Sequence, residues 1–568
     1  MREQWYLYCK KADFKAISEK FAVSPMLARI LVNRGINTDA EIGFFLNGTE
    51  EDMYDPFLFK EMESAVSLIS DAIKNNEKIR IIGDYDADGV CSAYILFHFL
   101  EYAGADVSVR LPDRFKDGYG INKEMVREAK EAGTGLIITC DNGISALDAV
   151  SEAKQLGIRV LITDHHEPPD ILPDADVIID PKIKENGYPY SEICGAAVAY
   201  KVMLALSKRL ELKNAAETDE MLDQLLMFAG IATVTDIVPL KNENRIFVKA
   251  ALKRLKSTNN PGLKALMEIK SVDAEKISAY HIGFIIGPSI NSAGRLRSAD
   301  IAFDLLNETD TLKSQEKAQV LADLNEERKD LTRKNTQAAF DIADELIRKN
   351  RVLVIYLPEA PESVAGIIAG KIKDRVNAPA IVITKSSEGL KGSGRSIEGY
   401  NMIKEISAFP ELFSKFGGHA LACGFTIKCS PEELSDALNK SCTLTEKDMV
   451  KKVWIDMQLP FKYATKEFAR ELEGLGPFGM DNERPLFAQK DVRVLSAKIV
   501  GKTGNGLRLS LKDQSEAVMD GIMFAESDEI ENICLRIKED PVVSVLFFPE
   551  LNEFRGRKTV RLKIEAIR

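Results

Sequence analysis

Three short segments of this chain gather acidic side chains where most turns carry only one. They read Asp84-Tyr85-Asp86-Ala87-Asp88-Gly89, Asp141-Asn142-Gly143 and Asp164-His165-His166, and each follows a short apolar run: IRIIG at 79–83, GLIITC at 135–140 and IRVLIT at 158–163. Carboxylates brought to one place repel one another and are driven toward their protonated forms unless a cation lies between them. A divalent metal is the physical resolution. Oxygen donors with one or two imidazoles suit Mn2+ or Mg2+, whereas a mononuclear zinc site takes more nitrogen or sulfur donors. A single Asp-Gly or Asp-Asn-Gly after a strand is usually only a turn. Three such segments, one with adjacent histidines in a chain that has five histidines in all, point to a metal site. Alternate residues of extended backbone face one way, so Asp84, Asp86 and Asp88 are expected to look into one crevice together. By the same alternation Asp164, His165 and His166 cannot all ligate. The expectation is that His165 binds metal and His166 lies beside it or against a phosphate. Asp236, in TVTDIVPL at 233–240, is a fourth acidic candidate that reads equally well as a helix cap.

These side chains meet only if the elements beneath them are neighbours. Residues 61–75 predict an amphipathic helix, and the apolar runs at 79–83, 107–111, 135–140, 158–163 and 176–180 predict strands, with helices over 122–132 and 145–156. Alternating strands and helices with near-continuous apolar strands predict an α/β, doubly wound parallel sheet, whose ligand crevice lies outside the carboxyl ends of the strands. Residues 1–59 read as short helices, one ending at Arg34-Gly35, and 195–305 as mostly helical. Over 312–349 the apolar positions Val320, Leu324, Leu331, Ala338, Ile342 and Leu346 predict one long connecting helix with a charged outer face. Strands resume after 351, at 380–384 and at 423–427, marking a second lobe. From about 453 the pattern is β-rich, with alternation at 507–512 and 560–567. The divisions drawn from this are 1–59, 60–305 (catalytic domain), 306–350 (connecting helix), 351–450 (second α/β domain) and 453–568 (β domain).

Composition narrows the function classes. The 568 residues are 45% hydrophobic and 29% charged, which is ordinary for a globular chain, and too many for one core. The apolar runs are far shorter than a membrane helix needs. The amino terminus lacks the profile of a signal peptide, and the eight cysteines form no CxxC pair. A cytoplasmic protein with no membrane partner is expected. The net charge of −11 means that a polyanion must be held by local basic patches or by bound cations. Arg295, Lys371 and Arg395 are candidate phosphate grips, Arg395 within Gly-Ser-Gly-Arg-Ser, and glycines at 392, 394, 417 and 418 would let backbone approach a ligand. Arg508 and Lys512, with RGRK at 555–558, form a basic face on the β-rich section.

GDYDADGVCS (83–92), TCDNGIS (139–145), TDHH (163–166) and TVTDIVPL (233–240) resemble the four motifs of the DHH phosphoesterase superfamily. More specifically the chain is similar to the RecJ family of bacterial single-strand-specific exonucleases. The likeness extends to LPDRFKDGYGIN (111–122), ICGAAVAYK (193–201), GPSINSAGRLRSAD (287–300), GSGRS (392–396), FGGHALACGFT (416–426) and GPFGMDNERPLF (476–487). Departures occur at Pro361, Ser363, Lys371 and Ser289, where His, Gly, Arg and Arg are usual, and these would touch the DNA-contacting side. The resemblance implies two divalent cations, Mn2+ or Mg2+, held by Asp84, Asp86, Asp88, Asp141, His165 and Asp236, with Asp141 bridging. It makes Asp141, His165 and His166 the catalytic residues. It implies DNA contacts from Asn291, Arg295, Lys371, Ser393, Arg395 and His419, a DHH-associated second domain, and a carboxyl-terminal OB-fold-like barrel that contributes Arg508 and Lys512. The implied activity is 5′-to-3′ removal of mononucleotides from single-stranded DNA in repair and recombination, by a monomer. A single-strand-binding protein and a helicase are the candidate protein partners.

Two other classes compete. A DHH-type phosphodiesterase acting on short oligonucleotides or cyclic dinucleotides would have little use for the β-rich section. A non-catalytic scaffold on the same core would have lost ligands, and every one is present here.

Overall fold

The computed structural model describes residues 3–212, 214–386, 389–501, 503–554 and 556–568. Arg555 of the basic RGRK run therefore lies outside the described residues. The chain forms two units. One comprises 54–238 and 247–451 with the first residues of the chain, and the other comprises 4–53, 239–246 and 452–568.

The first unit begins with five parallel strands: β1 (Lys78–Ile82), β2 (Asp106–Arg110), β3 (Thr134–Cys140), β4 (Arg159–Thr163) and β5 (Val177–Ile179), in the order β2-β1-β3-β4-β5. The Ile, Val and Leu residues of β1, β3 and β4 are buried on both faces, as helices on either side of a parallel sheet require, while Val107 and Val109 of the edge strand β2 are half-buried. The order reverses between β1 and β3. A ligand crevice opens at that switch point in this topology, and Asp84 and Asp141 are the first residues beyond Gly83 and beyond β3, respectively. Helix α1 (Ala87–Tyr102) follows β1, and α2 (Gly195–Ser207) and α3 (Ala215–Thr235) pack against it.

Further helices, including α4 (Gly287–Leu296), lead to α5 (Thr311–Leu346), a single helix of 36 residues. The expected helix is present and its buried stripe keeps part of the expected one, since Leu324 is buried and Leu331 and Leu346 pack partly buried against the core. Val320 and Ile342 are exposed at 41% and 36% and Ala338 is exposed, whereas Ala318, Leu321, Asn325, Thr332, Thr336, Ala339 and Ala343 are buried. Small and hydroxylated side chains let Pro261–Ile269, α4 and α6 (Glu362–Val376) approach α5 closely. A hydrophobicity pattern does not score such residues.

Beyond α5, β6 (Leu353–Tyr356), β7 (Ala380–Ser386), β8 (Gly389–Arg395), β9 (Phe413–Gly418) and β10 (Ala422–Ile427) form a mixed sheet in the order β9-β10-β8-β7-β6. Gly392 and Gly394 lie in β8. A Cβ at Gly392 would sit 2.1 Å from the Phe425 ring, and one at Gly394 would sit 2.7 Å from Cys423 Sγ. Close packing inside the sheet requires both glycines, and Gly392, like Gly417 and Gly418, also lines a cleft.

The second unit contains β11 (Phe487–Val500), β12 (Gly506–Lys512), β13 (Val518–Phe524), β14 (Val542–Phe554) and β15 (Arg557–Ile567). They run in the order β11-β12-β13-β15-β14, with β14 pairing back onto β11 to close a barrel and β13 and β15 parallel. This is OB-fold topology. The amino-terminal helices are part of the same body. Leu27, Ile30 and Leu31 of Pro25–Asn33, with Ile42 and Phe45 of Asp39–Asn47, share one core with Phe487, Leu509, Leu511, Phe547 and Leu562. Gly35 takes φ +81° after the helix that ends at Asn33, as expected of Arg34-Gly35. The chain opens on a strand, Glu3–Leu7, which pairs with Lys451–Ile455, where only helices were expected. Buried Arg245 donates to the carbonyls of Phe45 (3.0 Å), Leu475 (2.8 Å) and Gly474 (3.2 Å), which fastens 239–246 into this unit. No helix among the described residues is long and apolar enough to cross a membrane.

Candidate active site

The acidic side chains converge, although not by strand alternation. Asp84 stands just past β1 and Gly83. Asp86 is the N-cap of α1, its Oδ1 accepting from the amides of Asp88 (2.9 Å) and Gly89 (3.2 Å). Asp88 is already in the first turn of the helix. The chain turns inward at once because position 89 is glycine: a Cβ there would lie 2.5 Å from the Asp84 backbone. Asp88 in turn accepts from the amides of Gly195 (2.7 Å) and Ala196 (2.8 Å) at the start of α2. A helix N-terminus thereby supports an anionic ligand residue.

Asp141 adopts φ +60°, a left-handed conformation that Asp tolerates better than most residues. Its amide donates to Thr163 O at 3.1 Å and its carbonyl accepts from the Tyr119 hydroxyl at 3.2 Å. Asn142 ties the same turn to β1 through Ile82 O (3.1 Å) and receives the Ile121 amide (3.0 Å). Asp164 is a brace rather than a ligand. Its carboxylate accepts from the amides of Ile144, His165 and His166 and from His166 Nδ1 at 2.7 Å. That frees the His165 ring, whose Nε2 lies 3.0 Å from Asp141, 3.4 Å from Asp88 and 3.7 Å from Asp236. Asp236 is the C-cap residue of α3, bonded there through its backbone amide, so it does not play the side-chain N-cap role and its carboxylate faces His165 instead.

Potential ligand atoms fall into three overlapping groups, each within 4.8 Å: Asp84, Asp86 and Asp141; Asp88, His165 and Asp236; Asp141, His165 and His166. Burial, reinforced by neighbouring carboxylates, pushes Asp84, Asp141 and Asp236 well above the usual carboxylate range and Asp88 up to about 6. Burial, then the neighbouring His166, lowers His165 to about 3, leaving a neutral imidazole free to ligate. Burial opposes charge on His166 too, but the hydrogen bond to Asp164 overrides it and lifts the ring to about 9. Asp84 Oδ1 is buried without a hydrogen-bond partner. An oxygen-rich donor set with one neutral imidazole and an orphaned carboxylate oxygen fits a divalent cation of the Mn2+ or Mg2+ type.

Above the cluster lies a cleft of ≈ 1070 Å³, walled on one side by the turn 114–121 and on the other by the second sheet. Arg114, Arg295, Lys391, Arg395 and Lys415 line it, together with Ser393 and His419. Arg295 is half-buried, donates to Ser363 O at 3.1 Å, and is lowered by burial only to about 10, so it stays cationic. The Arg114 guanidinium lies 5.1 Å from the centroid of the Tyr85 ring.

Family models match three stretches: the DHH family N-terminal domain at 78–231, the DHHA1 domain at 349–446 and the RecJ OB domain at 455–566. The single-stranded-DNA-specific exonuclease RecJ of Bacillus subtilis is 35% identical over 97% of this chain and 69% of its own length. That of Salmonella typhimurium is 33% identical over 100% of both. The chain belongs to the RecJ family. The crystal structure of RecJ in complex with Mn2+ from Thermus thermophilus matches with a TM-score of 0.83 at 25% identity, covering 100% of this chain and 80% of that one.

In this RecJ family member the six expected ligand residues, Asp84, Asp86, Asp88, Asp141, His165 and Asp236, come together with His166. Of the expected DNA contacts, Arg295, Ser393, Arg395 and His419 line the cleft, as does Asn291, whose Oδ1 accepts the Ala87 amide at 2.7 Å and so holds the acidic turn. Lys371 does not line the cleft. It is exposed on α6, about 140° around the helix from cleft-lining Gly366 at 100° per residue. Ser289 is fully buried, donating to Ile285 O and accepting from Asn325 Nδ2, so that departure falls in the α4–α5 interface rather than on a DNA surface. Arg508 and Lys512 sit on β12 of the second unit and face Asp520 (3.6 Å) and Glu516 (2.5 Å). Arg114, Tyr119, Lys391 and Lys415 were not anticipated. Pro112-Asp113 and the glycines at 118 and 120 mark the turn that carries the first two, but nothing in their spacing says that it folds over β1 and β3.

Proposed function

We propose that this chain is a single-stranded-DNA-specific exonuclease that releases mononucleotides in the 5′-to-3′ direction by metal-dependent hydrolysis at two divalent cations. The observation that carries this is the overlap of the donor groups: Asp141 belongs both with Asp84 and Asp86 and with His165 and His166, which is the arrangement a bridging ligand needs. Bound cations would supply an activated water and neutralise charge on the scissile phosphate. The remaining work falls to the chain. Asp164 orients His166, and Asp88 is aimed by two backbone amides. Arg114, Arg295, Arg395 and Ser393 offer a terminal phosphate a cationic seat beyond the carboxylates, and arginine can grip it through paired hydrogen bonds. Cys140 and Cys194 beside the cluster are fully buried, so neither thiol is presented as a nucleophile.

The test is digestion of a strand of about 20 nucleotides, phosphorylated at its 5′ end and labelled at one end or the other, with Mn2+. A 5′ label should leave at once as a mononucleotide, while a 3′ label should persist on progressively shorter fragments. Chelator should stop the reaction, and blunt duplex should resist it. Early release of the 3′ label, or equal attack on duplex, would contradict the proposal. Faster hydrolysis of a cyclic dinucleotide than of the strand would select a small-substrate phosphodiesterase instead.

A further inference from the structure

The two-stranded ribbon of Glu3–Leu7 and Lys451–Ile455 is a sheet of its own, separate from that of the barrel. One of its faces carries three aromatic rings in a row. Trp454 stacks on Tyr8 with centroids 4.9 Å apart and planes 24° apart, and lies tilted by 34° against Tyr6 at 5.2 Å. Trp454 is 47% exposed and Tyr6 36%. Single exposed aromatics are common and need no explanation, but a contiguous exposed patch marks a contact surface. The opposite face is occupied, since Arg568 covers Trp5 at 4.2 Å from its ring centroid. The rings therefore look outward.

Charge selects the occupant. Lys452, two residues from Trp454, shares its face by strand alternation and is exposed, and Lys10 and Lys11 are exposed just past the other strand. Of the acidic groups at the ribbon, Glu3 is paired with Lys451 at 3.5 Å. Asp456 is buried and accepts the Leu486 amide at 3.0 Å, and exposed Glu483, near Tyr8, is opposed by the Arg34 guanidinium. Flat rings flanked by lysines present π-faces and cations. This suits a planar base joined to a phosphate better than the side chains of a peptide. We propose that this ribbon is a base-stacking site for single-stranded DNA, with Trp454 as its principal platform. The proposal rests on the single-strand reading above and adds a contact that neither the metal cluster nor the barrel supplies.

The chain has two tryptophans, Trp5 and Trp454, so Trp5→Phe leaves Trp454 as the only indole reporter. The experiment titrates that protein, with Asp141→Ala added to prevent digestion, with a fluorescein-labelled oligothymidylate of about 20 nucleotides for anisotropy. A parallel titration with the unlabelled strand follows indole emission. The expected result is saturable quenching of Trp454 over the same concentration range as the anisotropy change. Trp454→Leu should weaken strand binding about tenfold, the loss of roughly one stacked base. Full strand occupancy with unchanged Trp454 emission would overturn the stacking site while leaving the exonuclease reading intact, and would assign the face to a protein partner. Absence of any strand binding would overturn both. Because the fluorescence readout keeps Trp454, the test stands even if Trp454→Leu fails to fold.

Discussion

Gly195 sits where Asp88 and Asp141 press against the start of a helix. A Cβ there would lie 2.7 Å from Asp141 Cβ and 3.1 Å from Asp88 Oδ2. Gly195→Ala should therefore displace two ligand side chains at once. We expect kcat with saturating strand and Mn2+ to fall on the order of 10²-fold, because sub-ångström to 1 Å misplacement is costly in a preorganised site. The same clash should lower stability in chelator by about 1–3 kcal/mol, and wild-type kcat would count against a rigid floor beneath the carboxylates. Arg395 tests the other side of the cleft. Its Nη1 donates to Gly394 O at 2.8 Å, which aims the guanidinium along the strand into the cleft. A phosphate seat remote from the reacting atoms stabilises ground and transition states alike. Arg395→Ala should thus raise KM about tenfold or more with kcat nearly kept, and steady-state kinetics on a short strand separates the two. Residue types made the carboxylates legible in the sequence, since crowded carboxylates without basic neighbours call for a cation. Their geometry was not legible: Asp86 and Asp88 reach the site through a helix cap and first turn, not an extended strand. Asp164 reads like a ligand until its hydrogen bonds to three amides and an imidazole are seen.

Among the elements, strands were the most legible, because parallel strands buried on both faces leave unbroken apolar runs. Helix α5 was legible in length and position but only partly in orientation, through Leu324, Leu331 and Leu346. Its inward face is built from Ala318, Thr332, Thr336, Ala339 and Ala343, whose hydrophobicity is weak and whose importance is their small size. Ala339 is fully buried beside Leu353, Ile368 and Ile372. Ala339→Leu should overpack this contact and destabilise the first unit by about 1–3 kcal/mol, seen as a lower denaturant midpoint. Ile342→Ala, on the exposed side, should cost less than about 0.5 kcal/mol. The reverse ranking would mean that the helix is rotated from the position described. The glycines of β8 were only partly legible for a similar reason. Gly-Ser-Gly-Arg-Ser has the composition of a phosphate loop, yet it is a strand whose glycines make room for Phe425 and Cys423.

At the scale of the molecule, the divisions expected from the sequence are consecutive, whereas the second unit draws on three separated segments. Nothing local announces that Leu31 and Phe547 share a core, because the pairing spans almost the whole chain. Leu31→Ala should therefore loosen the barrel, although it lies far from it in sequence. The expected loss is about 2–5 kcal/mol, read as faster amide exchange in β11 and β12 and not only in residues 25–47. Exchange confined to the amino-terminal helices would show that they fold independently. Whether this chain degrades single strands through cations bridged by Asp141 can be decided in a single assay. Asp141→Ala and the unaltered chain are compared for turnover of a 5′-phosphorylated single strand across a Mn2+ titration, with unfolding in chelator as the control for integrity. Turnover should fall by at least about 10³-fold at every Mn2+ concentration, with the chain still unfolding cooperatively in chelator, because relief of carboxylate crowding offsets the cost of alanine at φ +60°. Unaltered turnover by Asp141→Ala at saturating Mn2+ would contradict a bridging role for this carboxylate and the two-cation hydrolysis built on it.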